Sequence, residues 1–132
     1  MKKIIYLIIL IASITNFGNT AEITTQEFLK GCKNYYLWVN KNYKIPVDEK
    51  ILFNMGKCQG VIETMGKVML TLCYESKRNL SISKQITANL KGIRTIDIIE
   101  ELIKSTDTEK RLRSMPVQTF LFNFMSNNWP CK

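Results

Sequence analysis

Apolar residues recur at steps of three and four positions through most of the chain, which is typical of amphipathic helices. The first such stretch is TTQEFLKGCKNYYLWVN. Thr24 or Thr25 can cap this helix, and Glu27 stands three residues after Thr24, as in a capping box. Its predicted inner face consists of Phe28, Cys32, Tyr35, Tyr36 and Val39.

The segment DEKILFNMGKCQGVIETMGKVMLTLC predicts a second, longer helix that begins soon after Pro46. Asp48 and Glu49 complement the positive end of its dipole. Its three glycines either let a neighbouring helix approach closely or only loosen the helix, and the sequence leaves both readings open; they are Gly56, Gly60 and Gly66. Its apolar stripe is Leu52, Met55, Cys58 (or Gln59), Ile62, Met65, Met69 and Leu72.

The rest of the chain predicts shorter helices. Ser81 or Ser83 can cap a helix through Leu90 that Gly92 ends, and TIDIIEELIKS predicts a compact helix capped by Thr95. TDTEKRLRS reads as a polar connection, and MPVQTFLFNFMSNN as a final helix with Pro116 in its first turn. No segment alternates long enough to predict a strand. The sequence therefore predicts an all-α domain of four to five helices.

The first 21 residues have the layout of a secretory signal peptide. Lys2 and Lys3 precede an apolar run from Ile4 to Ile14, which is too short to cross a bilayer as a helix. We expect cleavage after Ala21, which leaves residues 22–132 as one exported domain, although an uncleaved anchor stays open. The missing cysteine at this junction argues against a lipid anchor.

All four cysteines belong to the exported part, where an even count predicts two disulfides. A zinc site is the weaker alternative, because the chain has no C-x-x-C pair and no histidine. If the first two helices form an antiparallel hairpin that turns near Lys44, Cys32 and Cys58 lie at nearly the same height. This geometry predicts the pairs Cys32–Cys58 and Cys73–Cys131.

The chain is basic, with a formal net charge of +8 at pH 7. Such a charge suits an acidic protein or an anionic surface, and it also suits an ordinary solvated exterior. Exported proteins rarely meet nucleic acid, so a protein or cell-envelope partner is the better expectation. The candidate partner-binding residues form two groups along the sequence, namely Lys77, Arg78, Lys84, Lys91 and Arg94, then Lys110, Arg111 and Arg113.

Composition argues against an enzyme. Without histidine the chain has no Ser-His-Asp or Cys-His arrangement, and a disulfide-bonded cysteine is no nucleophile. Glu63, Glu100 and Glu101 are the carboxylates nearest apolar stripes, and they read as solvated helix surface. No glycine-rich phosphate loop is present, and we expect no catalytic residue, metal or cofactor.

An ordered set of motifs resembles the Rap/Tai family of type VI secretion amidase immunity proteins. The set comprises C-x-G at Cys58–Gly60, LC at Leu72–Cys73, the IIEELIKS helix, and a last helix from Pro116 to a terminal WPC. The resemblance covers about residues 25 to 131. Val61 and the stretches LCYES and STDTE depart from the family pattern.

The resemblance implies an HdeA-like helical periplasmic protein that binds and inhibits a peptidoglycan amidase effector. It carries over no individual binding residue. Two other classes stay open: a periplasmic acid-stress chaperone of the HdeA kind, and an exported helical accessory protein with another partner. A homodimer also stays open, and no membrane span is expected after signal cleavage.

Overall fold

The computed structural model describes residues 24–78, 81–105 and 108–132. The expected signal peptide and its cleavage site lie outside these residues. The described part contains five α-helices, one 3-10 helix and no strand, which confirms the predicted fold class. The elements are α1 (Thr25–Asn40), α2 (Glu49–Ser76), a 3-10 helix (Lys84–Ile86), α3 (Thr95–Lys104), α4 (Thr108–Ser114) and α5 (Val117–Asn128).

Helices α1 and α2 form the antiparallel hairpin that the sequence predicts. The hydroxyl of Thr24 accepts a hydrogen bond from the N–H of Glu27 at 3.2 Å and so caps α1. Near its middle the hairpin is joined by the disulfide Cys32–Cys58, whose Cα atoms are 5.2 Å apart. Both cysteines are fully buried, so this bridge is part of the core.

Helix α2 begins at an aspartate cap. The Oδ1 atom of Asp48 accepts a hydrogen bond from the N–H of Ile51 at 2.7 Å, which satisfies one of the donors left free at the first turn. Asp48 is exposed, and it stands at the junction between the hairpin loop and 28 residues of helix. It therefore fixes where the longest element starts.

Replacing Asp48 with alanine should lower the free energy of unfolding by about 1 kcal/mol, because the first turn of α2 loses its capping acceptor. The matched control is D48N, in which the amide oxygen can accept the same bond and which we expect to stay within a few tenths of a kcal/mol. Urea unfolding measures both. Equal stability of D48A and the parent protein would contradict this role.

The close helix approach lies at a glycine other than those singled out from the sequence. A Cβ atom on Gly31 of α1 would overlap the carbonyl oxygen of Asn54 in α2. By contrast, no heavy atom from a neighbouring element lies within 4 Å of the Cβ positions of Gly56 and Gly60. At Gly66 the nearest atom is Leu90 Cδ1 at 3.3 Å. Close packing of the hairpin thus depends on Gly31.

The helix predicted to run through Leu90 does not form in the segment before α3. Only a single 3-10 turn forms, with the hydroxyl of Ser83 accepting from Gln85 N–H at 3.3 Å. Residues 87–90 are non-helical, and two of their N–H groups donate to other parts of the fold: Ala88 to the Met69 carbonyl at 3.3 Å, and Asn89 to the Trp129 carbonyl at 2.8 Å. Thr87, Ala88 and Leu90 are buried, so this segment is a layer of the core.

The prediction of a polar connection at TDTEKRLRS is also wrong over its later part, because helix α4 forms at Thr108–Ser114. Leu112 is fully buried there, and its carbonyl accepts a hydrogen bond from the hydroxyl of Thr25 at 2.9 Å. One apolar residue among charged ones gives no visible period, so the sequence does not indicate this helix. In α3, the residue at the N-cap is Arg94 and not the predicted Thr95.

The C-terminal helix closes the domain. Pro116 precedes α5 and Trp129 follows it. The ring centroids of Trp129 and Phe124 are 6.0 Å apart. The second disulfide, Cys73–Cys131, then joins the chain end to α2, with Cα atoms 5.6 Å apart. Both disulfides match the predicted pairs. The α5 residues that enter the core are Val117, Phe120, Leu121 and Met125.

Several residues of the predicted apolar faces are less buried than expected. In α2 the side chain of Leu52 is 51% exposed, and Leu72 is half-buried. In α1, Tyr35, Tyr36 and Val39 are half-buried. The periodic pattern thus locates the core stripe correctly but includes residues at both ends of α2 that are only partly buried, with Leu52, near the hairpin loop, the most exposed of them.

Candidate interaction surface

The eight candidate partner-binding residues are all exposed, and they belong to several different elements and loops. Arg113 of α4 lines a cleft against α1, whereas Arg94 lines a separate cleft against α2. Lys77 and Arg78 follow the last turn of α2, and Lys84 lies in the 3-10 helix. The remaining three stand before α3 or on α4, namely Lys91, Lys110 and Arg111. Proximity along the sequence therefore does not define the surface.

A cleft with a volume of about 850 Å³ lies between α1 and α4. Its apolar part is formed by Leu29, which is nearly buried, and Leu37, which is 51% exposed. Its cationic side chains are Lys30, Lys33 and Arg113. The polar remainder of the lining is Thr24, Thr25, Gln26, Asn34 and Glu109.

Helix geometry explains why these side chains meet. Lys30, Lys33 and Leu37 follow one another at three- and four-residue steps, so they share a face of α1. The hydrogen bond from the Thr25 hydroxyl to the Leu112 carbonyl ties the first turn of α1 to α4. Arg113 pairs with Glu109 one turn earlier, Nη2 to Oε1 at 2.8 Å, which leaves its charge on the rim. The cleft carries three cations and one anion.

Lys30, Lys33 and Leu37 line this cleft but are not among the binding residues predicted from the sequence. Their spacing repeats on the face of α1 opposite Phe28 and Cys32, where polar residues are expected in any surface helix. A helical projection of α1 would have shown two lysines beside an exposed leucine. What it could not show is that α4 lies alongside and adds Arg113.

A second cleft, of about 560 Å³, is acidic and borders the terminal WPC motif. Asp97, Glu100 and Glu101 of α3 line it together with Trp129. Lys104 also lines it, with its Nζ 2.6 Å from Glu100 and 3.9 Å from Glu101. The hydrogen bond to Glu100 raises the pKa of Lys104. Glu100 and Glu101 thus pair with a lysine on the surface of α3. The sequence analysis predicted that both lie on the helix surface.

The first turn of α3 contains a two-point ion pair. The guanidinium of Arg94 donates to Asp97 through Nη2 at 2.6 Å and Nε at 3.0 Å, and the Arg94 N–H adds a third bond at 3.0 Å. The pKa of Asp97 is lowered mainly by the side-chain hydrogen bonds from Arg94, and the hydrogen bond from the Arg94 backbone N–H lowers it further. Both side chains are exposed.

We expect R94Q to move the pKa of Asp97 back toward its ordinary range, because the guanidinium bonds are lost. A carboxyl whose pKa is lowered by folding contributes stability above its unfolded pKa, and this is lost as pH falls through the folded value. The gap in Tm between the parent protein and R94Q should therefore narrow in acid. NMR titration of the Asp97 carboxyl measures the shift directly.

The control for that titration is R78Q, which removes an arginine from the end of α2 instead. It should leave the titration of Asp97 unchanged. An Asp97 pKa that is the same in R94Q and in the parent protein would show that the ion pair does not hold the carboxylate.

Within residues 24–78, 81–105 and 108–132, no three cysteine or carboxylate side chains are grouped as a metal site would require. No helix in the same ranges is both long enough and apolar enough to span a membrane. The paired cysteines fit an oxidising, exported compartment.

Comparison of the chain with protein-family models, curated proteins and solved structures finds no significant match.

Proposed function

We propose that this protein is a periplasmic immunity protein that binds and inhibits a peptidoglycan amidase effector of a type VI secretion system. The disulfide framework is the observation that carries the proposal. Cys58, Cys73 and Cys131 belong to the motifs that resemble the Rap/Tai family, and each is bonded to a distant part of the helical domain. The motifs thus correspond to the covalent frame of the fold.

Such a protein acts by occupying the cleft of its target and needs no catalytic group of its own. Binding of this kind requires a rigid surface of complementary shape and charge. The two disulfides supply rigidity, and the cleft between α1 and α4 supplies cations beside exposed apolar surface. An amidase with acidic residues around its active site would complement Lys30, Lys33 and Arg113.

The test is inhibition of a candidate amidase encoded beside this gene. The purified, oxidised protein should form a stoichiometric complex by light scattering and should stop release of peptide fragments from peptidoglycan sacculi. Light scattering of the protein alone reports whether it is a homodimer. Failure to bind or inhibit the neighbouring amidase at neutral pH would contradict the proposal.

Charge reversal locates the binding surface. We expect K30E/K33E to slow association with the amidase and to reduce its salt dependence, because these lysines rim the cleft. The matched variant K77E/R78E reverses the same amount of charge at the end of α2, in the first group predicted from sequence. A larger loss in K77E/R78E would place the surface there instead.

The chaperone reading predicts a different result. A chaperone of the HdeA kind would suppress aggregation of many clients after acid loosens its fold. The chain has no histidine to titrate near neutral pH, and both disulfides would resist loosening. Acid-dependent protection of unrelated clients, without inhibition of one amidase, would support the chaperone over the immunity protein.

A further inference from the structure

The loop end of the α1–α2 hairpin, which we call the hairpin tip (residues 38–57), exposes large apolar side chains. Tyr43 is 62% exposed and Phe53 is 63% exposed, while Leu52 and Ile45 are 51% and 38% exposed. They lie on the loop side of the Cys32–Cys58 disulfide, and within the part of the chain that the structure describes each of them stays exposed. Exposed apolar residues grouped in this way mark an interaction surface more often than residues scattered singly.

The backbone of the tip holds Tyr43 in an unusual conformation. Asn42 and Tyr43 have φ values of 50° and 64°, in the left-handed region that bulky L-residues rarely adopt. The N–H of Tyr43 donates to the Trp38 carbonyl at 3.0 Å, and the two rings pack edge to face with centroids 4.6 Å apart. The loop thus accepts a local conformational cost to place two aromatic rings together outside the core.

The tip is also cationic. Lys41, Lys44 and Lys50 are exposed, and the Nζ of Lys57 lies 4.4 Å from the centroid of the Phe53 ring. The two acidic residues of the tip are Asp48, which caps α2, and its neighbour Glu49. Every cation of the tip is a lysine, whereas all four arginines of the chain lie elsewhere.

We propose that the hairpin tip docks on an anionic lipid bilayer surface. Tyrosine and tryptophan favour the membrane–water interface, where an apolar ring enters the acyl boundary and its polar edge stays hydrated. Lysine stems lie along apolar surface while their ammonium groups reach anionic headgroups. Protein interfaces are on average enriched in arginine and depleted in lysine, and the tip has four lysines and no arginine. The composition of the tip therefore matches lipid better than protein.

This proposal does not depend on the immunity function. It describes peripheral binding, in which a few side chains enter the headgroup region and the helices stay outside. Binding of this kind strengthens with the buried apolar area and with the number of cations near the surface. An exported protein that holds to the membrane through one end of a hairpin would keep its α1–α4 cleft and its terminal WPC end free.

The experiment is flotation of the purified, oxidised protein with vesicles of equal parts phosphatidylglycerol and phosphatidylcholine, compared with phosphatidylcholine alone. We expect binding to the anionic vesicles that weakens with salt. Y43S/F53S should lower the partition coefficient by at least about tenfold, since each ring buries a large apolar area in the interface. K44Q/K50Q should lower it by about tenfold or more, through the loss of two headgroup contacts.

The matched control is K30Q/K33Q, which removes the same charge from the α1 face outside the tip and should change partitioning by less than about threefold, as expected for lysines that stay away from the headgroups. All variants carry the same N-terminus, verified by mass, so the N-terminal segment contributes equally to each. Circular dichroism and thiol titration verify that each variant is folded and oxidised.

Fluorescence gives a second readout. In a W129F background, Trp38 is the remaining tryptophan, and its emission should shift to shorter wavelength with anionic vesicles. Binding that is equal in the tip variants and the parent protein, or absent from anionic vesicles at low salt, would overturn the proposal. If the parent protein does not bind vesicles and the tip variants lose binding to a protein partner, the tip is a protein-docking surface and the lipid proposal is wrong.

Discussion

Replacing Gly31 with alanine should lower the free energy of unfolding by about 3 kcal/mol, at the upper end of what overpacking usually costs. The added methyl group would overlap the backbone carbonyl oxygen of Asn54 in α2. A backbone atom within a helix cannot swing aside as a side chain can, so α1 and α2 must separate. Separation also disturbs the buried Cys32–Cys58 bridge one residue away. Urea unfolding of the oxidised protein measures the loss.

The control uses a second glycine of the same hairpin. Gly56 is exposed within α2, and the space around its Cβ position is open. G56A should therefore stabilise the protein by about 0.5–1 kcal/mol, because alanine loses less backbone entropy in a helix. The two variants make the same chemical change with opposite expected signs. A G31A protein as stable as G56A would show that the helices do not approach at Gly31.

The periodic pattern predicts the long helices because each carries enough apolar residues to reveal a repeat of 3.6. It also places Cys32 and Cys58 at one height, since the two helices of a hairpin share a turn. The pattern fails where tertiary contacts decide. The N–H groups of Ala88 and Asn89 donate to the carbonyls of Met69 and Trp129, and no local signal shows those partners. Leu112 stands alone among charged residues, so the helix around it has no visible period.

The candidate surface shows a related limit. Counting charges along the sequence finds clusters such as Lys77–Arg78, but a cleft is made by side chains that helices bring together. Lys30 and Lys33 needed a helical projection of α1 to be noticed, and Arg113 needed the position of α4. The glycines show the same effect. All appear equivalent in the sequence, and only the path of the neighbouring helix distinguishes Gly31 from Gly56.

Removing the terminal disulfide with C73A/C131A should lower the free energy of unfolding by about 4 kcal/mol, because the bridge closes a long loop in the unfolded chain. The separation between its cysteines is 58 residues, against 26 for Cys32–Cys58. Chain entropy alone predicts about 3.5 kcal/mol for C32A/C58A. That bridge is fully buried, however, so its removal also leaves unfilled space in the core and should cost more than the entropy term. Urea unfolding of both double variants gives the comparison.

Hydrogen exchange distinguishes how the two bridges act. Cys131 is half-buried at the end of the chain. Two residues before it, the carbonyl of Trp129 accepts a hydrogen bond from the N–H of Asn89. Without the Cys73–Cys131 bridge, the backbone amides of the chain end and of residues 87–90 should exchange faster, because the chain end can then open without moving α2. The amides of the α1–α2 hairpin should stay protected. C32A/C58A should instead lower protection across both hairpin helices. Uniform loss of protection in C73A/C131A would mean that the terminal bridge supports the whole core.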